Sequence, residues 1–156
     1  MMPPTPPSLA DARGYREAAR YLGTEFVAYP VRTQEEAQAV LAQGKGEGDG
    51  ILAPRSMALN IPGFILEATA QRAIPSMFHA AFWVEQGALA SYGADYYAAG
   101  RQAARLVDKI LKGTKPAEIP VEVNAKIEFV INLKVAQALG RTIAPAVLFR
   151  ADRLLR

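Results

Sequence analysis

The chain has no cysteine and a single histidine, His79. Without thiols there are no disulfides, no thiolate nucleophile and no thiolate metal site, and one imidazole cannot build a multi-histidine centre. Long hydrophobic runs are missing too. No apolar stretch approaches the roughly 20 residues that a membrane-spanning helix needs. The opening Met1-Met2-Pro3-Pro4-Thr5-Pro6-Pro7 has neither the basic segment nor the apolar core of a secretory signal, so a chain starting this way is expected to stay in the cytoplasm. Net charge is small, at +3, and the basic residues are spread over helices and the tail (Arg150, Arg153, Arg156) without interleaved aromatics. That describes a solvated surface, not a nucleic-acid footprint. What is present suits one globular domain: 156 residues, 51% hydrophobic and 21% charged, enough to bury a core.

Taken in order, helices and short strands alternate. Ser8 can cap a helix ending near Leu22-Gly23, with Leu9, Ala12, Tyr15, Ala19 and Leu22 on one side. Phe26–Val31 is expected to be a strand. Thr33-Gln34-Glu35-Glu36 has the capping-box spacing and predicts a helix to about Gln43. The glycine-rich loop Gly44–Gly50 lacks the GxxxxGK[ST] order and precedes a strand rather than a helix, so it is read as a turn. Strands are then predicted at Gly50–Ala53, Ile74–Phe78 and Ala88–Tyr92, the last breaking at Gly93. A helix with Pro62 in its first turn and the short segment Ala80–Gln86 separate them. A long amphipathic helix follows, capped by Asp95 and closed by Gly113, with Tyr96, Ala99, Ala103, Leu106 and Ile110 along one face. Ile127–Ile131 is a β-branched and aromatic strand, Asn132 caps a helix ending at Gly140, and a last helical piece from Pro145 is expected to carry Val147, Leu148, Leu154 and Leu155. Helical spacers between short apolar strands predict an α/β fold with a parallel, doubly wound sheet.

Ligands of such sheets bind at loops beyond the carboxyl ends of the strands. These loops hold Arg55, Ser56, His79, Phe82, Trp83, Ser91, Tyr92, Gly93 and Asp95. Aromatic faces, hydroxyls, a guanidinium and a carboxylate suit recognition of a small molecule. They suit catalysis poorly: neither Ser56 nor Ser91 lies in a GxSxG elbow that would make a triad with His79 and Asp95. No catalytic or metal-binding residue is assigned. Arg101, Arg105, Asp108, Lys109 and Lys112 form a solvated helix face, with Asp108 and Lys112 in the favourable i,i+4 order.

Three ordered stretches, Gly87-Ala88-Leu89-Ala90-Ser91-Tyr92-Gly93, Val107 through Glu122, and Phe129-Val130-Ile131-Asn132-Leu133-Lys134 with Ala138-Leu139-Gly140, resemble the C-terminal half of bacterial ABC-transporter substrate-binding proteins of the tryptophan/tyrosine type. The ending, Thr142–Pro145 through Arg150-Ala151-Asp152, is similar to that family's closing segment. The resemblance implies one lobe of a type I periplasmic-binding fold, with residues 1–7 a disordered start, 8–93 an incomplete second lobe, and 94–156 a crossover helix, strand and C-terminal helices packing toward the first lobe. It implies a small solute as ligand, an aromatic amino acid or similar metabolite, an ABC permease as partner, and no cofactor. Ser91, Tyr92 and Gly93 would lie at the cleft and hinge, with Arg55, Ser56, Phe82 and Trp83 on the second lobe's wall. Full-length members are periplasmic. The N-terminal lobe, the export signal and a strand before the first helix are not found in this sequence. Apolar surface on helix 96–113 is therefore expected to stay uncovered unless a second copy or a separate N-terminal lobe meets it. Two other readings stay open: a truncated product without binding activity, and a cytoplasmic effector-binding module of a regulator.

Overall fold

The structure, a computed structural model, describes residues 8–31, 33–43, 48–53, 61–123 and 126–156. Its elements run α1 (Ser8–Tyr21), α2 (Gln34–Gln43), β1 (Ile51–Ala53), α3 (Ile61–Gln71), β2 (Ser76–Phe78), α4 (Ala81–Glu85), β3 (Ala90–Ala94), α5 (Tyr96–Leu111), β4 (Ile127–Asn132), α6 (Leu133–Ala138), α7 (Pro145–Phe149) and β5 (Arg153–Leu155). They fall into two compact units: one holds α1 and α2 and takes in residues 56–61, and the other holds β1 and everything from Pro62 onward.

In the first unit, Thr33 does what the capping-box spacing predicts, its hydroxyl accepting from the Glu36 N–H at 3.2 Å. Phe26–Val31 does not form the expected strand. An extended segment becomes a strand only when a neighbour takes its backbone hydrogen bonds, and among the described residues no strand pairs with it. Phe26 packs instead against the Tyr15 ring, 5.6 Å between centroids.

The second unit is built on a five-stranded sheet in the order β1-β2-β3-β4-β5. Three of its four pairings are parallel; β4 runs antiparallel to β3. The pairings Phe78↔Ser91, Ser91↔Val130 and Val130↔Arg153 place these residues on one face. Because side chains alternate along a strand, Met77, Ala90, Tyr92, Phe129 and Ile131 lie on the other. The first face carries the core: Ala53, Leu66, Phe78, Val84, Ala88 and Val130 are buried together, with Ile65, Ala81, Trp83 and Leu155 packed against them.

Two sequence expectations are corrected in this unit. The strand expected to break at Gly93 runs through it to Ala94. A β-carbon at Gly93 would overlap the carbonyl oxygen of His79 and sit 2.8 Å from its carbon, so this glycine serves close backbone approach and not chain reversal. Leu154 and Leu155, expected in the last helix, form β5 instead. Asp152 ends the helical turn: its N–H donates to the Phe129 carbonyl at 2.8 Å and its carboxylate accepts from the Phe129 N–H at 2.7 Å. That exchange aligns the chain with β4, and the two leucines pair with Ile131 and Asn132.

Candidate functional site

The site builds up from β2, β3 and the short helix between them. After Phe78 the chain passes over Gly93 at His79 and enters α4, which carries Phe82, Trp83 and Val84. Val84 is fully buried, which fixes how the helix is rotated. Trp83 then stacks on the buried Phe78 ring, with centroids 5.3 Å apart and planes at 27°. Phe82 meets Trp83 edge-on at 4.9 Å and is 53% exposed. The three rings form a continuous aromatic column from core to surface, an arrangement in which each contact adds to simple area burial. Arg153 holds the far end of α4, donating to Glu85 at 2.6 Å and lying 3.7 Å from Glu128. Asn132 holds its carbonyl side, donating to the Val84 oxygen at 3.2 Å while capping α6 through Val135 N–H.

β3 splits the remaining candidates between the two faces of the sheet. Ser91 points into the Phe78 face, fully buried, and its hydroxyl has no hydrogen-bond partner among the described residues. Tyr92 points the other way, is 54% exposed, and meets Phe129 edge-on at 6.0 Å across the antiparallel pair. Asp95 is buried at the junction to α5. One carboxylate oxygen accepts from the Ala98 N–H at 2.8 Å, the other pairs with the Lys126 ammonium at 2.9 Å, and its own N–H donates to the Lys126 carbonyl at 3.0 Å. The Ala98 hydrogen bond first, then Lys126, holds this carboxyl below the ordinary aspartate range, and the same pairing raises Lys126. Both oxygens therefore have partners within the fold. Arg55 and Ser56 lie outside the described residues.

Phe82 and Trp83 are thus brought together, Ser91 lies under the same face, and Tyr92 is separated from them by the sheet. Two partners escaped the sequence reading. The strand expected over 127–131 carries no register that places Phe129 opposite Tyr92, and Lys126 lies just before that strand with nothing local to link it to Asp95. A groove of about 480 Å³ in the first unit, lined by Arg16, Ala19, Arg20, Thr24, Glu25 and Phe26, was also not foreseen. Among the described residues, no group of three or more histidine, cysteine, aspartate or glutamate side chains could hold a metal ion, and no helix is long and apolar enough to cross a membrane.

Comparison with known proteins bears on this arrangement directly. Residues 5–155 match the family model described as ABC transporter substrate binding protein. A conserved domain protein from Vibrio cholerae is 30% identical with a TM-score of 0.74, covering 94% of this chain and 50% of its own. A Streptococcus pneumonia ABC domain in complex with L-Trp is 28% identical with a TM-score of 0.75, covering 95% of this chain and 52% of its own. A substrate binding protein with adhesive properties from Clostridium difficile, in a ligand-free, open structure, shares the fold at 20% identity and a TM-score of 0.62, covering 99% of this chain and 52% of its own. The chain therefore spans about half the length of these solved structures, and no curated protein matches it. By the family match over nearly all of its residues, the chain belongs to the ABC transporter substrate binding proteins.

Proposed function

We propose that this chain supplies one wall of a binding cleft for a small solute, an aromatic amino acid or a close analogue, within the solute-capturing component of an ABC transporter. The observation that carries the reading is the Phe78–Trp83–Phe82 column, whose outer ring is 53% exposed. Stacked aromatic faces favour a flat apolar group, and a similar domain of the family was solved with L-Trp. In this reading Phe82 and Trp83 form the platform and Gly93, under the His79 backbone, belongs to the hinge, while Tyr92 lies on the opposite face of the sheet. Arg55 and Ser56 orient the polar ends of the solute, and Ser91, fully buried, supports the wall from beneath. Asp95 contributes by fixing the start of α5. The solute is then handed to an ABC permease outside the cytoplasmic membrane, and the chain performs no chemistry on it.

Thermal-shift titration of the whole chain with L-tryptophan, L-tyrosine, L-phenylalanine and L-leucine tests this. A ligand at 100 times its dissociation constant stabilises by about 2.7 kcal/mol. The expected result is a rise in Tm with the aromatic amino acids, little with leucine, and loss of the rise in Trp83→Ala. A Trp83→Ala variant that keeps the tryptophan response overturns the assignment of the platform, and no response to any aromatic amino acid overturns the ligand class for this chain.

A further inference from the structure

α4 has five residues and starts after Ala80 without a side-chain cap, too short a helix to hold its own direction. What fixes it comes from its surroundings. The last turn is closed by the backbone that follows, the Gly87 N–H donating to the Val84 carbonyl at 3.2 Å and the Ala88 N–H to the Trp83 carbonyl at 2.9 Å. A second donor then arrives on the same Val84 oxygen, the Asn132 side-chain amide at 3.2 Å. The Arg153–Glu85 pair at this end of α4 is about half exposed on both sides, so solvent screens it and it contributes little.

Asn132 is itself held from several directions. Its N–H donates to the Leu89 carbonyl at 2.9 Å, which seats the end of β4 against the residue before β3. Its Oδ1 accepts from the Val135 N–H at 3.1 Å, and with 9% of the residue exposed both ends of the amide are committed. The two tasks together select the residue type. Capping α6 needs only an acceptor, which aspartate and serine supply as well as asparagine does. Meeting the Val84 carbonyl at the same time needs a donor, which an ionised aspartate lacks, and serine offers one oxygen where asparagine offers two atoms, one for each partner.

We infer that Asn132 is a positioning residue of the aromatic platform: by holding the Val84 carbonyl and the Val135 N–H at once, it sets the tilt of α4 and so the faces that Phe82 and Trp83 present. The inference rests on the reading of these two rings as the platform. Because Phe82, Trp83 and Val84 are consecutive on one short helix, a change in how the Val84 carbonyl is held moves both rings with it.

The test reads Trp83, the only tryptophan, in Asn132→Ser and Asn132→Asp, both of which keep a cap oxygen for α6. A side chain that served stability alone would lower Tm and leave the signal of the folded chain unchanged. The expected result, well below Tm and without solute, is altered near-ultraviolet dichroism and increased acrylamide quenching of Trp83 in both variants. Calorimetric affinity for L-tryptophan is expected to weaken by about three- to tenfold, the net worth of one hydrogen bond. In the unaltered chain the Asn132 side-chain amide protons are expected to exchange slowly with solvent. Rapid exchange of those protons overturns the inference whether or not the variants fold. Unchanged Trp83 signals in a folded Asn132→Ser beside an intact tryptophan response overturn the role of Asn132 alone, whereas an unaltered chain that binds no aromatic amino acid overturns the platform reading and this inference with it.

Discussion

α4 and α5 invert the usual relation between a helix's pattern and its burial. α5 has sixteen residues, a capped start and a strongly amphipathic sequence, yet none of its residues is buried. α4 has five residues and no side-chain cap, yet it buries Val84 completely and half-buries Trp83 in the main core. α4 is held by what it packs on. α5 is held by polar and capping contacts instead of core packing: Asp95 at its start, the Gly113 turn (φ 101°) after its end, an Arg101 guanidinium over the Tyr97 ring, and Gln102 and Arg105 both donating to Glu122 from the segment that follows. Helical pattern records which face wants cover; it does not say whether the cover is present.

The largest expected effect lies under α4. Phe78→Ala removes the ring on which Trp83 stacks and leaves a void among Ala53, Leu66 and Val130. Such truncations cost about 3–5 kcal/mol. Urea denaturation followed by tryptophan fluorescence measures this, and Trp83, the only tryptophan, reports the site itself. A loss below 1 kcal/mol would mean that the column is not part of the core and would erase the contrast with α5.

Next in size is Gly93→Ala. The added carbon meets the His79 carbonyl, which is backbone and has no rotamer to escape through. Either β3 or the turn after β2 must shift, and overpacking of this kind costs about 1–3 kcal/mol. Exchange of the Ser91 and Tyr92 amides should rise with the loss. By contrast Gly100→Ala on α5, where a β-carbon meets no heavy atom within 4 Å, should stabilise slightly.

A smaller effect is expected where β3 turns into α5. Asp95 has its carboxyl lowered by Ala98 and Lys126, so its contribution is present above the ordinary aspartate value near 3.9 and is lost as pH falls through the lower folded value. Lys126 is raised, so its contribution is full below the ordinary lysine value and is lost as pH rises through the higher folded one. Between these limits the pair gives no pH dependence. Asp95→Asn should therefore lose stability at neutral pH, and the gap to the unaltered chain should narrow as pH falls below about 4. A gap that stays constant from pH 7 to pH 2.5 in thermal melts would show that the carboxylate's charge has no part in holding α5.

Much of this was legible because local chemistry decides it. The Asp95, Thr33 and Asn132 caps, the span of α2 and the Asp108–Lys112 pair at 2.8 Å follow from residues within one turn of each other. The misses are all long-range. Phe26–Val31 has the composition of a strand but depends on a neighbour that no local window reveals. Gly93 resembles a breaker until the His79 backbone is known to cross it. Leu154 and Leu155 continue an apolar helical pattern that Asp152 interrupts by bonding to Phe129, far away in sequence. The candidate site divides the same way: the adjacent Phe82 and Trp83 came together, whereas the placement of Ser91 and Tyr92 on opposite faces depends on register.

The smallest expected effect is the most informative about α5. Val107 is 52% exposed and Leu111 81% exposed, so neither removes much apolar surface from water in this chain. Val107→Gln with Leu111→Gln replaces two exposed apolar side chains by good helix formers, and surface changes of this kind fall within about 0.5 kcal/mol. Unchanged urea midpoints are the expected outcome. A destabilisation of more than 1 kcal/mol would show that Val107 and Leu111 are buried after all and would end the contrast with α4. If both side chains can be replaced without cost to folding, then packing within the described residues does not require an apolar group at either position.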